Sequence, residues 1–208
     1  MPESITNRDD QHAVDVLTRY LAKESGPAGA PVFPSAHFDA LGRDQGRDEP
    51  DRVTAADLMA VNLLTSEVPP QAVVRLLGRD ADRITLELAR IPADLAIVDA
   101  PPQVLGGDSP ASRLWRILRS GHDGVGGVLT SRILARKRPF LLPVWDAFVF
   151  QACGQDTRGH WLWLRDWLAA DDALMWRWLA DLAAQAPAEY RLSPLRLFDI
   201  LVWMDVWD

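Results

Sequence analysis

The sequence predicts an all-α fold, a multi-helix globular domain with a helix-hairpin-helix-like element at about residues 111–137. Three observations carry this. Apolar residues recur at helical spacing through most of the chain, as in Leu114, Trp115, Ile117 and Leu118. Capping residues and prolines stand where those runs begin. No stretch alternates apolar and polar residues as a half-buried strand does. Hydrophobic residues make up 48% and charged residues 25%, a balance that supports a buried core.

Taken in order, Asp9 or Asp10 can cap a first helix whose apolar side is Ala13, Val14, Val16, Leu17, Tyr20 and Leu21. Gly26 and Pro27 stop it, and residues 26–53 read as a long loop pinned by Val32, Phe33, Phe38 and Leu41. Thr54 and Asp57 have the spacing of a capping box, with a helix running on through Leu64. Pro69 and Pro70 open a short helix to Leu77. Asp80 or Asp82 begins another to about Arg90, and Pro92 opens a segment over 93–99. Residues 100–110 resemble a linker and mark a possible subdomain boundary. Ser109 and Pro110 start the next helix, and further helices are expected at 160–170, 172–185 and 194–207, the last behind Ser193 and Pro194. This divides the chain into an N-terminal helix and loop (1–53) and an all-α domain (54–208).

Composition excludes several classes. No apolar run approaches the roughly 20 residues that span a bilayer, and residues 1–10 lack the apolar core of a secretion signal. A cytoplasmic location is expected. One cysteine, Cys153, and four scattered histidines give neither a disulfide nor metal-ligand spacing, so no metal and no cofactor are expected. The net charge of −7 argues against a uniformly basic nucleic-acid binder. From Arg113 to Arg138, however, seven cations (Arg113, Arg116, Arg119, Arg132, Arg136, Lys137 and Arg138) face one acid, Asp123.

The glycines in that stretch suggest chemistry. Gly124, Gly126 and Gly127 can turn the backbone tightly and leave amides uncovered at the start of a helix, where phosphate binds well. The alternative is a tight turn that only permits close helix packing. Leu118, the GVG turn and Ile133-Leu134 match the apolar–glycine–apolar pattern of a helix-hairpin-helix, a sequence-independent binder of DNA backbone. Arg132, Arg136, Lys137 and Arg138 then read either as phosphate contacts or as a solvated, dipole-complementing helix end. Asp146, just after Pro143, falls at the start of the following helix, either as a helix-starting carboxylate or as one presented beside the hairpin.

GVGGVLTSRILARKRPFLLPVWDAFV resembles an uncharacterised actinobacterial family of unknown function, and Thr54–Leu64 and Leu195–Met204 resemble further blocks of it. That resemblance implies no activity. More distantly, the GVG turn followed by a Pro-Val-Asp-like segment resembles the helix-hairpin-helix DNA glycosylases. Asp146, twenty positions after Gly126, then corresponds to their aspartate that stabilises positive charge on the sugar. Val128 stands where lyase-type members carry a catalytic lysine, Trp145 interrupts the Pro-Val-Asp segment, and the iron–sulfur cysteines are missing. If the chain is an enzyme, the resemblance implies N-glycosylase chemistry without lyase activity.

Nine tryptophans are many for this length, and Trp161, Trp163, Trp167, Trp176 and Trp178 fall in two consecutive helices. Core filling is the favoured reading, with base stacking or a homodimer through these C-terminal helices as the others. The competing function is a non-catalytic helical interaction module. It differs from the DNA-binding reading in requiring an exposed apolar patch on the last helices, with the three adjacent cations tied up by local acids or carbonyls.

Overall fold

Five helices among the described residues start at a side-chain cap whose partner lies within three residues. In the computed structural model, which describes residues 1–22, 33–43, 49–64, 67–154 and 159–207, a short α1 (Glu3–Thr6) precedes α2 (Asp10–Tyr20). Asp9 Oδ1 caps α2 by accepting from the His12 amide at 3.0 Å. α3 (Ala55–Asn62) carries the expected capping box: Thr54 Oγ1 accepts from the Asp57 amide, and Asp57 Oδ2 accepts from the Thr54 amide at 2.9 Å. Ser109 caps α7 (Pro110–Arg119), and Ser193 Oγ accepts from the Arg196 amide at the head of α11 (Pro194–Trp207). Gly26, Pro27 and Val32, expected in the long loop, lie outside the described residues.

Three segments differ from expectation. The helix opened by Pro70 ends at Val74 as α4 (Pro70–Val74), and a π-turn (Arg75–Arg79) follows, closed by the Asp80 amide on the Arg75 carbonyl at 3.0 Å. Asp80 does not cap α5 (Ala81–Leu88), because its carboxylate is drawn to Arg75. In the segment after Pro92 only Ile97–Asp99 is helical, as a 3₁₀ turn whose Ile97 amide bonds the Phe140 carbonyl at 2.8 Å. Residues 100–110 contain a one-turn α6 (Pro102–Leu105), with Ala100 and Leu105 buried. Far from hanging in solvent, this segment is also held by Arg165 Nε, which donates to the Ala100 carbonyl at 2.7 Å.

The remaining elements are α8 (Gly127–Lys137), α9 (Ala147–Cys153) and α10 (His160–Gln185). α10 is two helical pieces, as the sequence suggested, because Asp171, Asp172 and Ala173 adopt left-handed backbone. No strand occurs among the described residues. The fold is all-α.

α11 sits at the centre, with α2, α9 and α10 packed around it. Leu195, Leu197, Phe198, Ile200, Leu201 and Val202 are all buried, so this helix is enclosed on every side rather than amphipathic. That leaves little of α11 for the expected homodimer surface. In α10, Trp161 is buried and Trp163, Trp167, Trp176 and Trp178 pack partly buried against the core, which favours the core-filling reading. The side chain of Trp207 lies outside the described residues. On the other side of the fold, α8 packs between α3 and α7, and α5 lies along α7. No helix among the described residues is long and apolar enough to cross a membrane. Nor do His, Cys, Asp and Glu among them form a group of three that could hold a metal ion.

Candidate functional site

The α7–α8 pair is a helical hairpin, and one buried side chain from outside it fixes its turn. Arg75 Nε and Nη2 donate to both oxygens of Asp123 at 2.6 and 3.1 Å. Nη1 donates to Asp80 at 2.9 Å, and Nη2 also to the Leu118 carbonyl at the end of α7 at 2.8 Å. Hydrogen bonding to Arg75 holds the Asp123 carboxyl below its usual range, and the same bonds push Arg75 upward. Gly121 is required here, since a Cβ would lie 2.1 Å from Arg75 Nε. Gly124 has φ +91° and a Cβ there would lie 2.9 Å from Pro69 Cγ, so it too must be glycine. Gly126 has open space around it and Gly127 only an ordinary contact with Trp115. Gly124, Gly126 and Val128 are exposed over buried Val125, so the turn is presented to solvent.

The cations that follow point inward. Arg136 donates to Asp57 Oδ1 at 3.1 Å and to the carbonyls of Phe38 and Leu41. Lys137 Nζ reaches Asp57 Oδ2 at 2.9 Å and the Glu49 carbonyl at 2.8 Å. Arg138 reaches the carbonyls of Ile91, Pro50 and Leu88, and Asp51 Oδ1 at 2.6 Å. Arg136 and Arg138 are 1% and 0% exposed. Two readings of this run, phosphate contact and a solvated helix end, place these groups at the surface; the interaction-module reading requires them tied up by acids and carbonyls, as they are here. The structure uses them instead to bind the 38–41, 49–51 and 88–91 segments to α8. Burial lowers the pKa of Arg136 and Arg138. Burial also works to raise Asp57, but the charge and hydrogen bond of Lys137 outweigh it and leave that carboxyl depressed.

Basic surface lies elsewhere, on the outer face of α5 and α7. Arg83, Arg113 and Arg116 line one shallow groove of about 390 Å³ with Leu86, Glu87, Ile117 and Ser120. The side chains of Arg83 and Arg116 are 64% and 61% exposed. Glu87 bridges Arg90 and Arg113 at 2.9 and 3.0 Å. Arg79 and Arg119 are also exposed on these segments, the latter above the Trp115 ring at 5.8 Å. The acids nearby are Asp80, which lies 3.4 and 3.7 Å from Arg79 and Arg83, Asp82, Glu87, and Asp108, 3.5 Å from Arg116; the four are fewer than the six arginines. Ser120 leads directly into the hairpin turn, so the arginine face and the turn adjoin. Arg113, Arg116 and Arg119 were legible as one flank from their three-residue spacing. Their partners on α5 carried no such signal.

Asp146 is the N-cap of α9, one position before the first turn. Its Oδ1 accepts from the amides of Phe148 and Val149 at 3.0 and 3.2 Å, and its Oδ2 lies 3.6 Å from Arg132 Nη2. Ser131 on α8 sets this placement, since its hydroxyl accepts from the Trp145 amide at 3.0 Å. Trp145, the residue that interrupts the Pro-Val-Asp segment, is turned into the core against His160, with ring centroids 4.6 Å apart. Asp146 and Arg132 open onto a small cleft of about 60 Å³ with Val144, Phe148, Tyr20, Ser35, Arg196, Asp199 and Trp203. Phe148 and Trp203 meet edge to face at 6.4 Å. Arg196 is paired with Asp199 and donates to the Tyr20 hydroxyl at 2.6 Å. In turn that hydroxyl donates to Ser35 Oγ at 2.8 Å. Arg132, though 6% exposed, finds no acceptor for Nε or Nη1 among the described residues. Burial lowers its pKa, Asp146 opposes that, and Arg196 adds to it.

Of the residues singled out from sequence, Asp146 and Arg132 therefore meet at a cleft. Gly124, Gly126 and Gly127 form a separate exposed turn, and Arg136, Lys137 and Arg138 are internal. Arg75, Arg196 and Tyr20 were missed as site residues, because Arg75 meets Asp123, and Arg196 meets Tyr20, only across 48 and 176 positions of sequence. Val128, where lyase-type glycosylases carry lysine, is exposed and apolar, so no amine is offered there. Neither a curated protein nor a solved structure matches the chain. A family profile does match it, over residues 13–206, from the first turns of α2 through nearly all of α11. The chain thus belongs to the family of unknown function DUF6308.

Proposed function

We propose that the protein binds a nucleic-acid backbone with the exposed α7–α8 turn and the adjoining arginine face of α5 and α7. The observation that supports this best is the groove formed by Arg83, Arg113 and Arg116, which runs up to the turn through Ser120. Exposed guanidiniums neutralise phosphates and release counterions, giving affinity that falls with salt. In a chain of net charge −7, such a face also directs a polyanion to one side of the molecule. The test is binding of a short labelled duplex over a salt series, with Arg83, Arg113 and Arg116 changed together to Gln. Wild-type binding should weaken steeply with salt. The variant should bind more weakly, with a log–log salt slope shallower by about 1 for each phosphate no longer neutralised. Unchanged affinity and slope in the folded variant, or no wild-type binding at low salt, would defeat this reading in favour of a helical interaction module.

A second reading is supported by Asp146. A carboxylate fixed by a helix N-terminus at the mouth of a cleft can stabilise positive charge developing on a sugar during N-glycosidic cleavage. With no amine at position 128, the reaction would stop at base release. Asp146→Asn keeps an N-cap oxygen, so folding should survive. Base release from damaged duplexes by the wild type, lost in Asp146→Asn, is the expected result. Equal release by both proteins, or none by the wild type, would end it.

A further inference from the structure

We infer that the cleft between α8, α9 and α11 is a binding site for a small ligand joining a planar apolar part to a carboxylate or phosphate group, with Arg132 receiving the anionic oxygens. The inference shares with the second reading only the premise that this cleft holds a ligand. It does not depend on nucleic acid or on Asp146 chemistry.

The charged groups of the cleft differ in what already satisfies them. Asp146 is held by two backbone amides through Oδ1, with Arg132 Nη2 near Oδ2 at 3.6 Å. Asp199 is paired with Arg196, whose Nη2 is also occupied by the Tyr20 hydroxyl and the Ser35 carbonyl. The two carboxylates thus have donors of their own, and Arg196 lacks a hydrogen-bond acceptor only at Nε, 3.6 Å from Asp39, whereas Arg132 is left short at two nitrogens. Its Nε and Nη1 have no acceptor among the described residues, and one distant carboxylate is its only ionic partner there. Buried guanidinium donors without acceptors are costly to maintain, and a fold under no other demand would place an apolar side chain here. The contrast with Arg136 and Arg138 is direct. Those arginines are equally buried on the same helix and on its cap, and several carbonyls and carboxylates accept from each. Arg132 alone of the three opens on a cleft.

The rest of the cleft says what else the ligand carries. Phe148 is partly exposed on one wall and Trp203 stands edge-on to it, a surface that suits a flat apolar group. An oxyanion supplies acceptors to Arg132 as charge-assisted hydrogen bonds, the strong kind.

Benzoate, acetate and inorganic phosphate are the probes, titrated against chloride at matched ionic strength. Readouts are the Arg Nε–H resonance assigned to Arg132 by its loss in Arg132→Met, and the melting temperature. Saturable movement of that resonance with benzoate or phosphate but not chloride, together with a rise in melting temperature, is expected. Phe148→Ala, at an exposed position, should weaken benzoate while leaving acetate and phosphate nearly unchanged. Preference for phosphate over both carboxylates would assign the anionic group as phosphate, and the reverse order as carboxylate. In Arg132→Met the ligand-induced rise in melting temperature should vanish, with affinity reduced by about tenfold or more. If that variant fails to fold, Arg132→Lys, which keeps the buried charge but has no Nε–H, supplies the same assignment. A resonance that ignores all three probes, or follows chloride equally, overturns the inference. Because these titrations contain no nucleic acid, loss of duplex binding in the Arg83, Arg113 and Arg116 variant leaves their result untouched.

Discussion

Replacing Asp57 by Asn removes the anion on which two buried cations converge. Its Oδ1 lies 3.1 Å from Arg136 Nε and its Oδ2 2.9 Å from Lys137 Nζ, while the same carboxylate completes the capping box of α3. Asn keeps the shape and one acceptor oxygen, so the lost quantity is mostly charge. Breaking one side of a buried ion pair costs about 3–5 kcal/mol, and the amide keeps part of the cap. The remaining carbonyl partners of Arg136 and Lys137 soften the loss, which places the expected destabilisation at about 3 kcal/mol. That is a large share of the roughly 5–15 kcal/mol typical of a folded domain. Urea unfolding followed by circular dichroism would show a lower midpoint at unchanged slope. The acid limb gives a second check. The folded pKa of Asp57 lies below its usual 3.8, so its contribution is fully present above 3.8 and is lost as pH falls through the depressed value. The gap between wild type and variant should therefore close in that window. A loss under about 1 kcal/mol at neutral pH would refute the view that the three cations act as internal ties.

The hairpin turn and Cys153 offer further tests. Gly121→Ala and Gly124→Ala should each destabilise the fold by more than about 1 kcal/mol, through collision with Arg75 and through a positive φ. Gly126→Ala, with open space around it, should leave the thermal midpoint nearly unchanged; equal losses at all three positions would show that the turn geometry is misassigned. Burial pushes the Cys153 thiol up to about 11. Its alkylation by iodoacetamide should be far slower than that of a free thiol at about pH 8 and still rising at about pH 10, and a plateau near pH 9 would contradict that burial.

What the sequence discloses depends on how far apart the interacting residues are. Caps were legible because donor and acceptor lie within three residues: Thr54 with Asp57, Ser109 with Ser112, Ser193 with Arg196. Asp146 was legible for the same reason, as a carboxylate preceding a helical run, although its neighbour Arg132 comes from the preceding helix. Arg75 was not. It stands alone in an apolar run, and the acid that explains it, Asp123, lies 48 positions later. The enclosure of α11 is masked in the sequence by the charges of Arg196 and Asp199, which pair with each other one turn apart inside the fold.

The seven cations from Arg113 to Arg138 show the same limit in its sharpest form. Counted along the chain they make one basic patch. In space they separate, with Arg113, Arg116 and Arg119 on the outward side of α7, and Arg132, Arg136, Lys137 and Arg138 within the fold. The division follows from which helices lie beside each one. α7 has neighbours on one side and leaves a flank to water, whereas α8 is wedged between α3 and α7, with the segments before α3 and after α5 closing over its end. A long cationic side chain on such a helix must find acids and carbonyls or be excluded, and residues 38–51 supply them from a stretch with no periodic signal of its own. Local charge density therefore marked a basic stretch but not which of its members face water and which the proposed phosphate contact would use. The exposed three are the ones available to a phosphate backbone. The buried four divide again, into three that are satisfied by the chain and one, Arg132, that is not.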